Sequence, residues 1–208
     1  MSISHRFAPF GTLAAALLVS GVGAGCTDAT PATTRTAQPV GDDHLKAEYD
    51  KAGRLQKLEY DRNNDGRPDT WGYMDGIRVV RVEVDRNGDG QVDRWEFHTT
   101  EGVPTPPPAP ADAVDPSLER IEESTRFDGK VSRKEFFTAG VLARTEEDTD
   151  GNGAIDKWET YEGGALSVLA LDTTGRGTPD RRLIYKAGTV DRIETDPAGT
   201  GATAPPKP

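Results

Sequence analysis

The chain is poor in the residues that cross-link proteins or bind soft metals. Its 208 residues include one cysteine and three histidines. A single cysteine excludes an intramolecular disulfide, and so few Cys and His residues do not favour a zinc site. Basic residues are also outnumbered, since 25 Lys and Arg stand against 35 Asp and Glu and the formal net charge is −10. Nucleic acid is therefore not an expected partner.

Long apolar runs are scarce, with one exception near the N-terminus. Residues 1–25 contain no acidic residue, and an apolar stretch extends from Phe7 to Val22. This stretch is shorter than the roughly 20 residues of a membrane-spanning helix, and Pro9 and Gly11 interrupt it. Its composition is that of an export signal that is removed from the mature protein. We predict a signal peptide over residues 1–25.

The only cysteine, Cys26, lies directly after this segment, and the five residues that end there read Val-Gly-Ala-Gly-Cys. They resemble the lipobox of bacterial lipoproteins, although Gly23 stands where that family prefers Leu or Val. The resemblance implies cleavage before Cys26, a lipid on its thiol and a membrane anchor at the bacterial cell envelope. Thr27 in place of Asp implies the outer membrane. Ordinary secretion with an unmodified thiol is the alternative.

The rest of the chain divides by composition into a repeat domain and two tails. Residues 26–43 and 198–208 are rich in Thr, Ala, Gly and Pro and have few large apolar side chains, so they cannot bury enough surface to become ordered. We predict a flexible lipid-anchored stalk over 26–43, a folded domain over 44–197 and a disordered tail over 198–208. A proline-rich insertion at 103–117 is either an extruded loop or a separator of two subdomains.

Aspartates mark a repeat of 24 residues within the domain. Asp61 and Asp85 are one period apart, and so are Asp148 and Asp172. The step from Asp85 to Ser124 is 15 residues longer, which the proline-rich insertion explains. A period of this length is typical of stacked supersecondary units.

The residues between the repeated loops predict strands. A nine-residue loop leaves 15 residues in each period, fewer than the roughly 20 that two EF-hand helices need. These residues are often β-branched or aromatic with period two, as in Trp71 and Tyr73. A spacing of three, as between Leu55 and Leu58, requires a bulge or a short helical turn there. We therefore predict an all-β fold, a 24-residue repeat of antiparallel hairpins that share one thin core.

The clearest loop extends from Asp85 to Glu96 and has the spacing of a calcium-binding EF-hand loop. Side-chain oxygens stand at positions 1, 3, 5, 9 and 12, Gly90 permits the sharp turn at 6, and position 7 offers its carbonyl. Hard oxygen donors in this number favour calcium over magnesium, which demands a tighter octahedron. The predicted ligands are Asp85, Asn87, Asp89, Gln91, Asp93 and Glu96.

Two more loops follow the same pattern. The loop that begins at Asp148 has an oxygen-bearing side chain at each of positions 1, 3, 5, 9 and 12. The loop that begins at Asp61 has them at positions 1, 3, 5 and 9 but has Gly72 at position 12. Their predicted ligands are Asp148, Asp150, Asn152, Asp156 and Glu159 in the first, and Asp61, Asn63, Asp65 and Asp69 in the second. The loops resemble those of EF-hands, integrin-type propellers, thrombospondin type 3 repeats and dockerins. That resemblance covers the loops alone, and it implies bound calcium ions.

Two copies of the loop depart from the pattern. Arg126 occupies position 3 of the loop that begins at Ser124, and Arg176 occupies position 5 of the loop that begins at Asp172. A guanidinium in place of a carboxylate repels a cation. We predict that these loops are empty or closed by an internal ion pair.

Asp, Asn and Gly also form turns without metal, so a metal-free β-repeat scaffold is the alternative. Its tryptophans at one repeat position, Trp71, Trp95 and Trp158, would then be candidates to bind protein or glycan. No nucleophile elbow or phosphate loop is found, and we expect no catalysis. The leading expectation is an exported, lipid-anchored, calcium-binding repeat protein with a structural, adhesion or assembly role at the cell envelope.

Overall fold

The computed structural model describes residues 44–101 and 115–196. The predicted signal peptide, Cys26, the stalk, the C-terminal tail and most of the proline-rich insertion lie outside the described residues. The expectations for them stay predictions.

The described residues form twelve β-strands and no helix. No helix in this part of the chain is therefore long and apolar enough to cross a membrane. In chain order the strands are β1 (Leu45–Tyr49), β2 (Leu55–Tyr60), β3 (Thr70–Asp75), β4 (Arg78–Val84), β5 (Arg94–His98), β6 (Leu118–Glu123), β7 (Arg133–Thr138), β8 (Val141–Glu147), β9 (Lys157–Glu162), β10 (Ala165–Leu171), β11 (Arg181–Lys186) and β12 (Thr189–Thr195).

All twelve strands lie in one sheet, in which each strand pairs antiparallel with the next along the chain. The prediction of an all-β repeat of antiparallel hairpins is confirmed. β5 pairs directly with β6, with Glu96 opposite Ile121. The sheet is therefore continuous across the proline-rich insertion.

Two kinds of connection alternate along the chain, so each kind lies at one end of the strands. The hairpin end carries the turns that follow odd-numbered strands. The loop end carries five nine-residue loops that follow even-numbered strands. We number them loop 1 (61–69), loop 2 (85–93), loop 3 (124–132), loop 4 (148–156) and loop 5 (172–180).

The hairpin end combines tight turns with bulges. Lys186 pairs with Thr189, and the two residues between them, Ala187 and Gly188, have φ of 50° and 78°. Two consecutive positive φ values define a type I′ turn, whose twist matches that of the flanking strands. The register also shifts near each turn, for example between Glu48 and Tyr49, which face Lys57 and Leu55. Such bulges place Leu55 and Leu58 on one face, so the bulge explains their spacing of three.

The sheet is a single layer with little apolar core. Among the described residues, the buried apolar side chains are Ile121, Trp158, Ala170 and Pro179. The expected shared core is thus very thin. Other interactions must hold the sheet, because a thin core leaves little hydrophobic free energy to offset the loss of chain entropy.

One face of the sheet, which we call the aromatic face, carries a row of alternating cations and rings. Arg120 stands over the Phe97 ring at 4.2 Å from its centroid, and Arg144 stands over the Phe136 ring at 3.9 Å. The register puts Arg120 opposite both Phe97 and Phe136, so rings and guanidinium groups alternate from strand to strand. Each such cation–π contact contributes about 0.5–2 kcal/mol, depending on burial.

A second row on the aromatic face carries the three tryptophans, and glutamates lie opposite them on neighbouring strands. Glu83 lies opposite both Trp71 and Trp95, and Trp158 lies opposite Glu146. The repeat therefore places the three tryptophans in one row. Trp158 is only 7% exposed, so it packs within the face and has little ring surface left for a ligand.

The middle of the opposite face carries an ion-pair network. Arg133 lies 2.9 Å from Glu147 and 3.0 Å from Glu135, and Lys157 lies 3.2 Å from both Glu147 and Glu159. Burial alone would lower the pKa of Arg133, but the surrounding carboxylates raise it. A half-buried network of this kind stabilises the sheet more than isolated surface pairs do.

Candidate metal centres

Backbone hydrogen bonds fix the first and ninth residues of each loop in the sheet. The N–H of Asp85 in loop 2 donates to the carbonyl of Asp69 in loop 1 at 2.8 Å, and the N–H of Asp148 donates to Ser132 at 2.8 Å. The ninth residue, for example Asp93, donates its own N–H to the residue before position 1, here Val84, at 2.9 Å. The ladder therefore stacks neighbouring loops and holds positions 1 and 9 close together at the base of each loop.

Loop 4 brings three carboxylates together. One oxygen each from Asp148, Asp150 and Asp156 lies within 4.8 Å of the other two. Asn152 joins this group, since its Nδ2 donates to Asp150 at 3.0 Å. Asp148 is buried and Asp150 is exposed, so the cluster reaches from the loop base to solvent.

Backbone donors orient the first carboxylate of loop 4. Asp148 accepts hydrogen bonds from the N–H of Gly151 at 2.7 Å and of Gly153 at 2.9 Å. Gly153 has φ of 91°, which only glycine adopts readily. Burial would raise the pKa of Asp148, but the two N–H donors and Arg126 hold it below its ordinary value. The carboxylate is therefore negatively charged at neutral pH.

Loop 2 has the same framework. Asp85 accepts from the N–H of Gly88 and of Gly90, both at 2.7 Å, and Asn87 donates to Asp89 at 3.0 Å.

Asp93, at position 9 of loop 2, has a carboxylate oxygen without a hydrogen-bond partner. Asp93 is fully buried, with 0% of its surface exposed. Oδ2 accepts from the N–H of Arg86 at 3.1 Å, whereas Oδ1 has no partner in the described part of the chain. In loop 4, Thr149 at position 2 gives Asp156 a hydroxyl donor as well as an N–H. Loop 2 has Arg86 there instead, and its guanidinium pairs with Glu123. A buried oxygen without a partner is costly unless something binds it.

Loop 1 follows the same framework, and both carboxylate oxygens of its ninth residue accept hydrogen bonds. Asp61 accepts from the N–H of Asp65 at 3.2 Å and of Gly66 at 2.8 Å, and Asn63 donates to Asp65 at 3.3 Å. Both oxygens of Asp69 accept hydrogen bonds, one from Arg62 N–H at 3.0 Å and one from the Thr70 hydroxyl at 2.9 Å.

The two predicted ligands at position 12 lie away from the loops, on strands. Glu96 is in β5 and pairs with Arg94 at 2.8 Å. Glu159 is in β9 and accepts the Thr145 hydroxyl at 2.8 Å. Three residues of strand span about 10 Å, whereas in an EF-hand a helix returns position 12 to the ion. The loop 4 cluster therefore does not include Glu159.

Glu159 also affects a neighbouring phenol. Burial raises the pKa of Tyr161 to about 12, and the negative charge of Glu159, which accepts the Tyr161 hydroxyl at 3.2 Å, adds to this shift. Burial would raise the pKa of Glu159 as well, but the Thr145 hydroxyl and Lys157 lower it. Glu159 thus serves as a charged member of the sheet network.

Gln91, predicted to offer its carbonyl at position 7, is exposed. Its N–H donates to Asp89 at 2.8 Å, which closes the turn of loop 2. The amide oxygen of its side chain approaches loop 3, 3.0 Å from where a side chain on Gly129 would begin.

Arg126 of loop 3 reaches into loop 4. Its guanidinium donates to the main-chain carbonyl of Asp148 at 2.9 Å and to Oδ2 of Asp148 at 3.1 Å. It also covers Gly151, where an added Cβ would lie 3.1 Å from its Cζ. The predicted ion pair of this degenerate loop therefore forms between loops. This role of Arg126 was not predicted from the sequence. Its signal is a cation at position 3, which the stacking of the loops places against position 4 of the next loop.

Loop 5 is closed by its own side chains. Asp172 accepts from the N–H of Gly175 at 2.8 Å and of Gly177 at 2.5 Å, and the Thr173 hydroxyl donates to Asp180 at 2.9 Å. Nε of Arg176 donates to the Thr174 hydroxyl at 2.9 Å. These bonds give the loop carboxylates internal partners.

Comparison with known families gives one short match. The EF-hand family model matches residues 83–99, which cover loop 2 and β5. The match does not assign the whole chain to that family. No curated protein matches the chain.

Two solved structures are similar to this chain at low TM-scores. The GtfA/B complex matches at a TM-score of 0.35 and 16% identity, over 77% of this chain and 22% of that chain. A mutant of S. aureus TarM in complex with fondaparinux, alpha-GlcNAc-glycerol and UDP matches at 0.27 and 9% identity, over 64% and 21%. The chain thus spans about a fifth of the length of the structures it matches.

One expectation is corrected. The prediction that the chain is not an enzyme is withdrawn. That prediction rested on missing short motifs, whereas catalytic groups are recognised by their arrangement in space. Likenesses at these TM-scores assign no activity to the chain.

Proposed function

We propose that the chain is a calcium-binding β-repeat protein whose loops hold calcium between consecutive strands. The observation that carries the proposal is the group of carboxylate oxygens from Asp148, Asp150 and Asp156 within 4.8 Å of one another. Three negative groups so close together repel each other unless a cation offsets their charge. Hard oxygen donors of this kind bind calcium.

Loop 2 is the second proposed site. Its support is the buried Oδ1 of Asp93, which has no partner among the described residues, and the EF-hand match over the same loop. Loop 1 is the third, because it repeats the loop framework. Among the described residues, loop 1 has neither a cluster of three carboxylates nor a buried carboxylate oxygen without a partner, so we expect weaker binding there.

The proposed ligand set comprises positions 1, 3, 5 and 9 of each loop, with the carbonyl at 7. Glu96 and Glu159 are left out because their carboxylates have partners in the sheet. With fewer protein ligands, water would complete a coordination number of about 6–8, and affinity would be modest.

We further propose that the chain is exported and anchored through a lipid on Cys26 at the bacterial cell envelope, in the outer membrane, with a structural, adhesion or assembly role. The support is the sequence pattern of residues 1–26. Extracellular calcium modules work with dissociation constants of about 10⁻⁴ to 10⁻³ M, which suits modest sites. Mass spectrometry of membrane-extracted protein tests the anchor, and an unmodified Cys26 thiol would refute it.

The test of calcium binding is the melting temperature of the chain with calcium and with EDTA. An ion that binds only the folded state adds RT ln(1 + [L]/Kd) to the free energy of unfolding. This is about 2.7 kcal/mol per site when the free calcium concentration is 100 times Kd. We expect calcium to raise the melting temperature. Asp150→Ala should reduce that rise, and the matched control Asp128→Ala, at position 5 of loop 3, should leave it unchanged.

The metal-free scaffold is the second candidate. It is favoured by the position 1 carboxylates, since Asp85 and Asp148 already accept two backbone hydrogen bonds each. If calcium leaves the melting temperature of the chain unchanged, these loops are turns and the scaffold is the correct description. Binding of glycan by the aromatic face is less favoured, because guanidinium groups cover the rings of Phe97 and Phe136.

A further inference from the structure

The two outermost strands of the sheet each have one neighbour among the described residues. All seven residues of β12 are exposed, including Ile193 at 60% and Val190 at 45%. An outermost strand presents backbone N–H and C=O groups that can pair with another strand.

The register of the sheet relates β12 to β1. Following opposite residues from strand to strand leads from Glu48 in β1 through Lys57 and onward to Ile184 and Arg192 in β12. The neighbouring row on the same face begins at Lys46 and ends at Glu194 by the same pairings. Each row therefore has an acidic residue on one outermost strand and a basic residue on the other.

This pattern makes the two outermost strands complementary. If a second copy continued the sheet in the same register, Arg192 would lie opposite Glu48 and Glu194 opposite Lys46. Between them, Ile193 would lie opposite Ala47. Arg192 and Glu194 are about half exposed and paired with each other at 2.8 Å, so both can reach a second copy. Charges usually protect outermost strands because like charges meet, but here opposite charges would meet.

Strand direction permits the same continuation. Even-numbered strands run antiparallel to odd-numbered ones throughout the sheet, so β12 of one copy would be antiparallel to β1 of a translated copy. The junction would repeat the pairing of β2 with β3, which joins four residue pairs. The loops of both copies would then lie along one continuous end.

We propose that the chain associates head to tail with further copies of itself, through β12 of one copy and β1 of the next. The contact is heterologous and open-ended, so it would extend into a longer sheet. It does not depend on calcium in the loops. Two strands bury far less than the roughly 1,000 Å² of a stable interface, so association depends on concentration and favours chains held close together.

Charge reversal with sedimentation velocity of the chain tests the proposal. The parent should show a sedimentation coefficient that rises with concentration. The variant Lys46→Glu/Glu48→Lys should lose this rise, and so should Arg192→Glu/Glu194→Arg, because each places like charges at the junction. An equimolar mixture of the two variants should regain it, since each altered strand then meets its complement.

The mixture is a control for stability, because two variants that had merely lost stability would not regain association when mixed. Circular dichroism checks that each variant keeps its strands. Twofold pairing of β12 with itself would place Arg192 opposite Glu194 in both parent and variant. Persistent association of Arg192→Glu/Glu194→Arg would therefore overturn the head-to-tail contact. A parent that stays monomeric at every concentration, or a mixture that does not associate, would also overturn it.

Discussion

Arg126 binds Asp148 across two loops, with hydrogen bonds of 2.9 Å to its carbonyl and 3.1 Å to its carboxylate. The contact brings the positive charge of a degenerate loop to the first position of the loop whose carboxylates cluster. A calcium ion in loop 4 would have to share Asp148 with this guanidinium. Arg126 is therefore expected to weaken calcium binding there.

Arg126→Ala should raise the calcium affinity of loop 4. The guanidinium is 35% exposed, and partly exposed ion pairs contribute about 0.2–1 kcal/mol, so the expected increase is about 1.4- to 5-fold. Titration calorimetry measures it. The control is Arg176→Ala, because Arg176 hydrogen-bonds within loop 5. An unchanged or lower affinity in Arg126→Ala would show that the two cations do not compete.

Glu159→Gln should keep the number of bound calcium ions and lower the melting temperature in EDTA. The Glu159 carboxylate is 13% exposed and lies 3.2 Å from Lys157, so removal of its charge should destabilise the sheet by about 1–3 kcal/mol. The matched control is Glu162→Gln, at the exposed end of β9. Loss of one ion in Glu159→Gln would restore position 12 as a ligand.

The sheet without calcium should lose stability in acid. The pKa of Asp148 in the folded protein lies below its ordinary value of 3.8, so this group stabilises the fold above about pH 4 and loses that contribution as the pH falls through the lower folded value. Melting temperatures in EDTA should be nearly flat from pH 7 to about 5 and then fall. Asp148→Asn should show a smaller fall. A variant with an unchanged acid profile would contradict the assignment.

The cation–π row should be measurable as a coupling free energy. Arg144 is 8% exposed and lies over the Phe136 ring, so a double-mutant cycle with Arg144→Gln and Phe136→Leu should give about 0.5–2 kcal/mol. A cycle that combines Arg144→Gln with the distant Phe97→Leu should be additive. A coupling near zero for the first pair would show that this cation–π contact does not stabilise the sheet.

The sequence predicts the strands well because the spacing leaves few alternatives. Fifteen residues between loops suit a hairpin, and period-two patterns such as Trp71 with Tyr73 predict which side chains share a face. Position 12 was harder to place, because the EF-hand spacing assumes a helix after the loop. Glu159 instead lies within strand β9, about 10 Å further along the chain than position 9.

Contacts between repeats could not be predicted from the sequence for a different reason. Arg126 and Asp148 are 22 residues apart, and their contact depends on how neighbouring loops stack. The same holds for the rows that end in Glu48 and Arg192, which appear only when eleven strand pairings are followed in order.

The most direct test of the central claim is a calorimetric calcium titration of the chain with a count of bound ions. We expect two or three ions in the parent and two fewer in the variant Asp89→Ala/Asp150→Ala, which removes position 5 of loop 2 and position 3 of loop 4. A parent that binds no calcium, or a variant that keeps the full count, would contradict it.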